Sequence, residues 1–261
     1  VTLALTAALL IAQAGAAQAA APTVQEDRLA LCRQEARVDP ATAMVTASLW
    51  LAESQGPGRS APQQCLGFAY TSLLRWDAAE SAFLAARQAL LPGEHAARAR
   101  LAGMAGNAAL AGNRNEAALA AFDLARQDAQ AAGDLVLAGS VEADRARALV
   151  ALGRLNQAAE ALARARQDAP QDASAWLLSA TLSRRQERLD EALGQIRTAA
   201  ALAPDDPAIG LEAGLIAALS GQDEAAETSW RAVLASSPDS PEASVARDYL
   251  AQLAPPAELG R

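Results

Sequence analysis

The chain contains no lysine: all 22 of its basic residues are arginine. It has one histidine, two cysteines, nine aromatic residues and 13 valines and isoleucines among 261 positions. Each scarcity removes a class of protein. Strands are built largely from β-branched and aromatic side chains, so an all-β or ordinary α/β domain is close to excluded. A single histidine with two cysteines makes no metal site, and neither metal nor cofactor is expected. Without lysine, the glycines of Gly103-Met104-Ala105-Gly106 and Gly56-Pro57-Gly58-Arg59-Ser60 lack the ending of a phosphate-binding loop, and no strand precedes them. No apolar run reaches the roughly 20 residues that cross a bilayer, so no stable membrane insertion is expected. The net charge of −8 argues against a nucleic-acid surface, which needs a basic stripe. The arginines are instead scattered among acids, as in Arg28, Arg33, Arg37 and Arg145, Arg147, the pattern of solvated helix faces.

What the chain has in excess is alanine, at 72 residues. Alanine has the best intrinsic helix propensity, but its methyl group buries little area. A thick core is hard to assemble from it. Helices packed in a thin layer, each touching only its neighbours, suit this composition.

The first residues read as an export signal. The apolar run LALTAALLIA at 3–12 leads into the small-residue stretch AQAGAAQAAAP, with cleavage after Ala19, Ala20 or Ala21. Residues 1–21 are therefore expected to be a signal peptide and the product to be periplasmic, the alternative being a cytoplasmic alanine-rich helix. Cys32 follows Leu31, where a lipoprotein signal needs a small residue. In an oxidising compartment Cys32 and Cys65, 33 residues apart, are candidates for a disulfide, the alternative being two buried thiols. Such a bridge stabilises by about 3–4 kcal/mol in the chain-entropy picture.

The strongest signal is internal. LGRLNQAAEALARARQDAPQD, RQERLDEALGQIRTAAALAPDD and LSGQDEAAETSWRAVLASSPDS superimpose at a spacing of 34 residues. Ala158, Ala192 and Ala226 correspond, as do Leu162, Ile196 and Trp230; Ala165, Ala199 and Val233; and Pro170, Pro204 and Pro238. Upstream in the same register, Ala146, Ala180 and Gly214 share one small-residue position, and Trp176 opens a unit. These positions resemble the tetratricopeptide repeat (TPR) family, with its W-x2-L-G-x2-Y, A-x3-F and P pattern. Asp206-Pro207 and Ser240-Pro241 mark helix starts, as does Asp172, and Gly153 and Gly221 supply turns that Glu187 replaces in the middle unit. Earlier units recur at about 39–40 residues, with Ala79, Phe83 and Ala86 then Ala118, Phe122 and Ala125 at the second-helix positions. Their extra residues are expected to lengthen helices or the loops near LPGEH and QAAGD.

The resemblance implies an all-α, right-handed superhelical solenoid of antiparallel helix pairs. About five repeats are expected, after a divergent N-terminal helix pair and before a C-terminal capping helix. The expected organisation is a signal peptide at 1–21, the divergent pair at 22–58, the solenoid at 59–253 and a flexible tail at 254–261.

The catalytic inventory is thin. His95 sits beside Gly93 and Glu94 at a helix start and reads as a surface or capping residue. No G-x-S-x-G turn is present. Asp205-Asp206 and Asp190-Glu191 lie where helix dipoles explain them. No enzyme activity is expected. The resemblance implies instead that the first helix of each pair lines a concave groove for a partner protein or peptide. It places Asn107, Arg147, Thr181 and Leu215 at equivalent inward sites, with Arg184 and Leu211 nearby; Arg147, Arg184 and Arg185 are expected to attract acidic groups, and Leu177, Leu211 and Leu215 to offer apolar contact near the C-terminal end. The lysine and asparagine clamp with which some members hold a terminal carboxylate has no counterpart here. The expected function is a non-enzymatic interaction scaffold or adaptor of the cell envelope. The alternatives are a self-associating structural component or a chaperone-like factor for an exported protein such as an apocytochrome.

Overall fold

The computed structural model describes residues 23–253. The expected signal peptide at 1–21 and tail at 254–261 lie outside the described residues. Among the described residues there are thirteen α-helices and no strand. They are α1 (Val24–Val38), α2 (Pro40–Glu53), α3 (Ser60–Ser72), α4 (Trp76–Ala89), α5 (His95–Ala111), α6 (Asn115–Ala132), α7 (Leu135–Ala151), α8 (Leu155–Asp168), α9 (Ala173–Arg185), α10 (Leu189–Leu202), α11 (Pro207–Leu219), α12 (Asp223–Ser236) and α13 (Pro241–Leu253), with a 3-10 turn at Gly56–Arg59 before α3. The fold is an all-α helical-repeat solenoid.

Alanine supplies the propensity, and polar side chains cap the starts of α1, α2, α7, α9, α11 and α13. Thr23 and Glu26 form a reciprocal capping box on α1. The Asp39 carboxylate accepts from the Thr42 amide at 3.1 Å to cap α2. Asp172, Asp206 and Ser240 cap α9, α11 and α13 in the same way, the last two before first-turn prolines. Inside each of the five pairs from α3 onward, the turn places one residue in the left-handed region: Leu74, Asn113, Gly153, Glu187 and Gly221. The amide after each of them donates back to the carbonyl five residues earlier, as Arg154 does to Leu149 at 2.8 Å. One turn geometry thus repeats five times, on glycine only twice.

Consecutive helices pack antiparallel. Odd-numbered helices also touch the odd helix of the next pair, α5 with α7, α7 with α9, α9 with α11 and α11 with α13. The even-numbered ones make no comparable contact. The odd layer is therefore the inner, concave one. Where the layers cross, small and large residues are matched in size. Gly67, Gly106 and Gly214 lie against the rings of Phe83, Phe122 and Trp230; a Cβ on Gly106 would stand 2.6 Å from the Phe122 ring. Where the small residue is Ala146 or Ala180, its partner is the slimmer Leu162 or Ile196.

The longer middle units lengthen helices rather than loops: α5, α6 and α7 have 17, 18 and 17 residues, against 13 or 14 in α9 to α12. The added turn of α6 carries Asp128, a buried carboxylate held by Arg87 of α4 at 2.7 Å and Arg98 of α5 at 3.5 Å. At the N-terminus, α1 buries only Cys32 and Ala36. Cys32 is disulfide-bonded to Cys65 of α3, with Cα atoms 5.9 Å apart. At the other end α13 covers the last pair, its Tyr249 stacked near Trp230 at 5.0 Å.

Candidate functional site

The inner layer carries a hollow of about 170 Å³ between α7 and α9. Its floor is aliphatic: Ala146, Leu162 and Leu182 are buried, and Val150 and Leu178 are partly so. Thr181 lies in its wall, and Arg147 and Arg185 stand exposed at its rim. The helical register explains the set. Ala146 and Val150 of α7 are four residues apart, as are Leu178 and Leu182, and Thr181 and Arg185, of α9, so each pair shares a face.

Arg147 is held in place by its neighbours. Its Nη1 donates to the Asn107 Oδ1 at 3.2 Å and to the Asp144 Oδ1 at 3.1 Å, while the Asn107 Nδ2 donates to the Asp144 Oδ2 at 3.1 Å. This three-residue network joins α5 to α7 and leaves the Arg147 side chain 47% exposed. Arg184 is committed elsewhere: it donates twice to the Glu212 carboxylate, at 2.7 and 3.3 Å, linking α9 to α11.

Of the residues expected from sequence, Arg147, Thr181 and Arg185 meet at the hollow, with Asn107 beside it. Leu177 is partly buried against the α9–α11 cluster. Leu211 and Leu215 are partly buried in the terminal cluster with Trp230, Leu250 and Leu253. Val150, Leu178 and Leu182 are the lining residues that sequence reasoning missed, although Val150 stands three residues after Arg147 and Leu178 three before Thr181. A second, wider hollow of about 510 Å³ opens between α1, α3 and α5, with Leu29, Phe68, Leu101 and Met104 in its walls and Arg33 and Arg100 at its edge. No sequence candidate lines it.

The remaining buried ionisable groups act as struts between helices. Glu142 of α7 is 3% exposed and sits 3.7–3.9 Å from Arg126, Arg145 and Arg164. Burial pushes its carboxyl above the usual carboxylate value of 4.5, against the pull of Arg145, Arg164 and Arg126. His95 opens α5 with its Nδ1 3.9 Å from the Asp128 carboxylate. Among the described residues no cluster of metal-ligating side chains occurs, and no helix is long and apolar enough to cross a membrane.

No protein-family model and no curated protein matches the chain. Solved structures do. The chain is similar to PilW, a type IV pilus biogenesis factor, with 19% identity and a TM-score of 0.67 over 86% of this chain and 99% of PilW. It is similar to TTC0263, a TPR protein of Thermus thermophilus, with 20% identity and a TM-score of 0.57 over 74% of this chain and 98% of the other. YrrB, described as a TPR protein with an unusual peptide-binding site, matches at 20% identity and a TM-score of 0.50 over 72% of this chain and 91% of its own. Five pairs in one turn geometry, small-against-large crossings at the repeat spacing and these neighbours agree: the chain has the tetratricopeptide-repeat fold.

Proposed function

We propose that this protein is a non-enzymatic scaffold of the cell envelope that holds a segment of a partner protein on its concave face. The observation that carries the reading is the hollow between α7 and α9, an aliphatic seat on the inner layer with exposed arginines at its rim. Protein sites for small molecules and cofactors usually enclose roughly 300–1,000 Å³, so about 170 Å³ suits one side chain of a larger partner. The peptide-binding site described for YrrB, on the same fold, supports this use of the surface. The envelope half of the proposal rests on the leader-like N-terminus and on the Cys32–Cys65 bridge, a bond that persists in oxidising compartments.

The test is to capture partners from envelope extract with the chain and with a Thr181→Phe variant, whose ring fills the hollow without entering the core. The variant is expected to lose partners that the parent retains. Identical captures would remove the concave-face reading, and recovery of the protein from cytosol alone would remove the envelope assignment. A second reading, self-association, is favoured by the exposed apolar residues of the N-terminal pair, where Leu31, Val38, Val45 and Leu49 are 67, 84, 56 and 63% exposed. Sedimentation of the parent and of a Leu31→Glu, Leu49→Glu variant separates the two, because only an end-to-end assembly dissociates on that change.

A further inference from the structure

The seat between α7 and α9 differs electrically from the molecule that carries it. The chain has a net charge of −8, yet the lining contains two arginines, one threonine, five aliphatic residues and no acid. Most arginines of the inner layer are already paired. Arg184, the neighbour of Arg185, is engaged by Glu212, and Arg147 shares Asp144 with Asn107. Arg185 makes no ion pair among the described residues and stands exposed at the rim. An uncompensated guanidinium beside an aliphatic floor is complementary to a carboxylate that lies next to an aliphatic side chain.

The size of the seat also selects a backbone conformation. A helix laid in a groove needs a row of pockets for its i, i+3, i+4 and i+7 side chains. About 170 Å³ accepts a single side chain. In an extended segment, residues two apart point to the same side at about 6.6 Å separation, so acids on either side of a seated aliphatic residue fall toward the two rims. One rim belongs to α7 and Arg147, the other to α9 and Arg185.

We infer that the partner segment is extended and acidic, with an aliphatic residue seated between α7 and α9 and a side-chain carboxylate two positions away meeting Arg185. This inference rests on the concave-face reading above and adds to it the chemistry of the occupant.

The test uses random dodecapeptides displayed as fusions with no free C-terminus, selected on the full chain. Selected peptides are expected to carry an aliphatic residue with Asp or Glu two positions before or after it. Their affinity is expected to fall about tenfold with Arg185→Gln and on raising salt well above 0.1 M, where the Debye length drops below about 10 Å. Arg197→Gln, a change at an exposed site on the outer-layer helix α10, is expected to leave affinity unchanged. Peptides that lose binding to Thr181→Phe but show no acidic preference and ignore Arg185→Gln would overturn this inference and leave the concave-face reading standing. Peptides that bind Thr181→Phe as well as the parent, or no selected peptides at all, overturn both. Arg185 is solvent-exposed, and an unchanged circular-dichroism melt of its variant confirms that a loss is not unfolding.

Discussion

Two glycines three residues apart on α5 have opposite roles. Gly103 has nothing within 4 Å of where a Cβ would point, whereas Gly106 faces the Phe122 ring at 2.6 Å. Adding a methyl group at Gly103 therefore removes only backbone freedom, and Gly103→Ala is expected to stabilise by about 0.5–1 kcal/mol in urea unfolding. Gly106→Ala gains the same propensity but overpacks the crossing, at a cost of about 1–3 kcal/mol, and is expected to destabilise. Adding Phe122→Leu to it recreates the pairing of Ala146 with Leu162 and should recover most of the loss. A stabilising Gly106→Ala would show that the crossing is not close-packed. The buried Glu142 gives a pH-dependent counterpart. Its folded carboxyl lies above the ordinary 4.5, so the folded state holds the proton more tightly than the unfolded state. Its favourable contribution is present below about pH 4.5 and is lost as pH rises through the folded value. Relative to Glu142→Gln, the parent is thus expected to lose melting temperature as pH rises above about 4.5, and a parent that instead gains on the variant with rising pH would contradict this. Sequence periodicity located the small and large positions individually, because each recurs at a fixed spacing. It could not pair them, since the partners lie 16 residues apart on different helices, as Gly106 and Phe122 do. The same limit affected the candidate site: Leu177 and Leu178 are adjacent in sequence, and only the packing of α9 turns Leu178 to the hollow and Leu177 to the α11 side.

Among the elements, α1 is held differently from the rest, whereas α2 buries Trp50 against α3. Units from α3 onward interlock through aromatic or aliphatic wedges, whereas α1 buries two small residues and depends on the Cys32–Cys65 bond. Replacing both cysteines by alanine is expected to cost about 3–4 kcal/mol in the chain-entropy picture. In a repeat array, where each unit contacts only its neighbours, that loss should remain local. Hydrogen exchange is the appropriate measurement: protection should collapse in α1 and persist in α7 to α12. A uniform loss along the chain would instead indicate one cooperative unit. Three helix starts were legible in the sequence, since Asp172, Asp206 and Ser240 announce themselves chemically before prolines or apolar runs. The turns were legible only in part. Gly153 and Gly221 could be read, but Leu74, Asn113 and Glu187 adopt the same left-handed geometry with side chains that do not signal it. The folded array imposes that conformation on them. The lengthened helices of the middle units were not legible either, because the repeat spacing counts extra residues without dividing them between helix and loop; in the structure the added turn of α6 sets Asp128 against Arg87 and Arg98.

At the scale of the whole molecule, a composition poor in large side chains is sufficient because the packing is repeated. Each layer buries little, and the next layer buries the same again. That arrangement leaves one long inner surface, and on it the α7–α9 hollow combines aliphatic depth with uncompensated positive charge. The leader-like segment and the disulfide are compatible with an envelope protein whose inner layer meets another chain. The most direct measurement places a photoreactive benzoylphenylalanine at position 181 on the inner layer and, separately, at position 197 on the outer layer, and cross-links each full-length chain in envelope extract. The concave-face account predicts a partner adduct from position 181 and none from position 197. An adduct from position 197 with none from position 181 would contradict it.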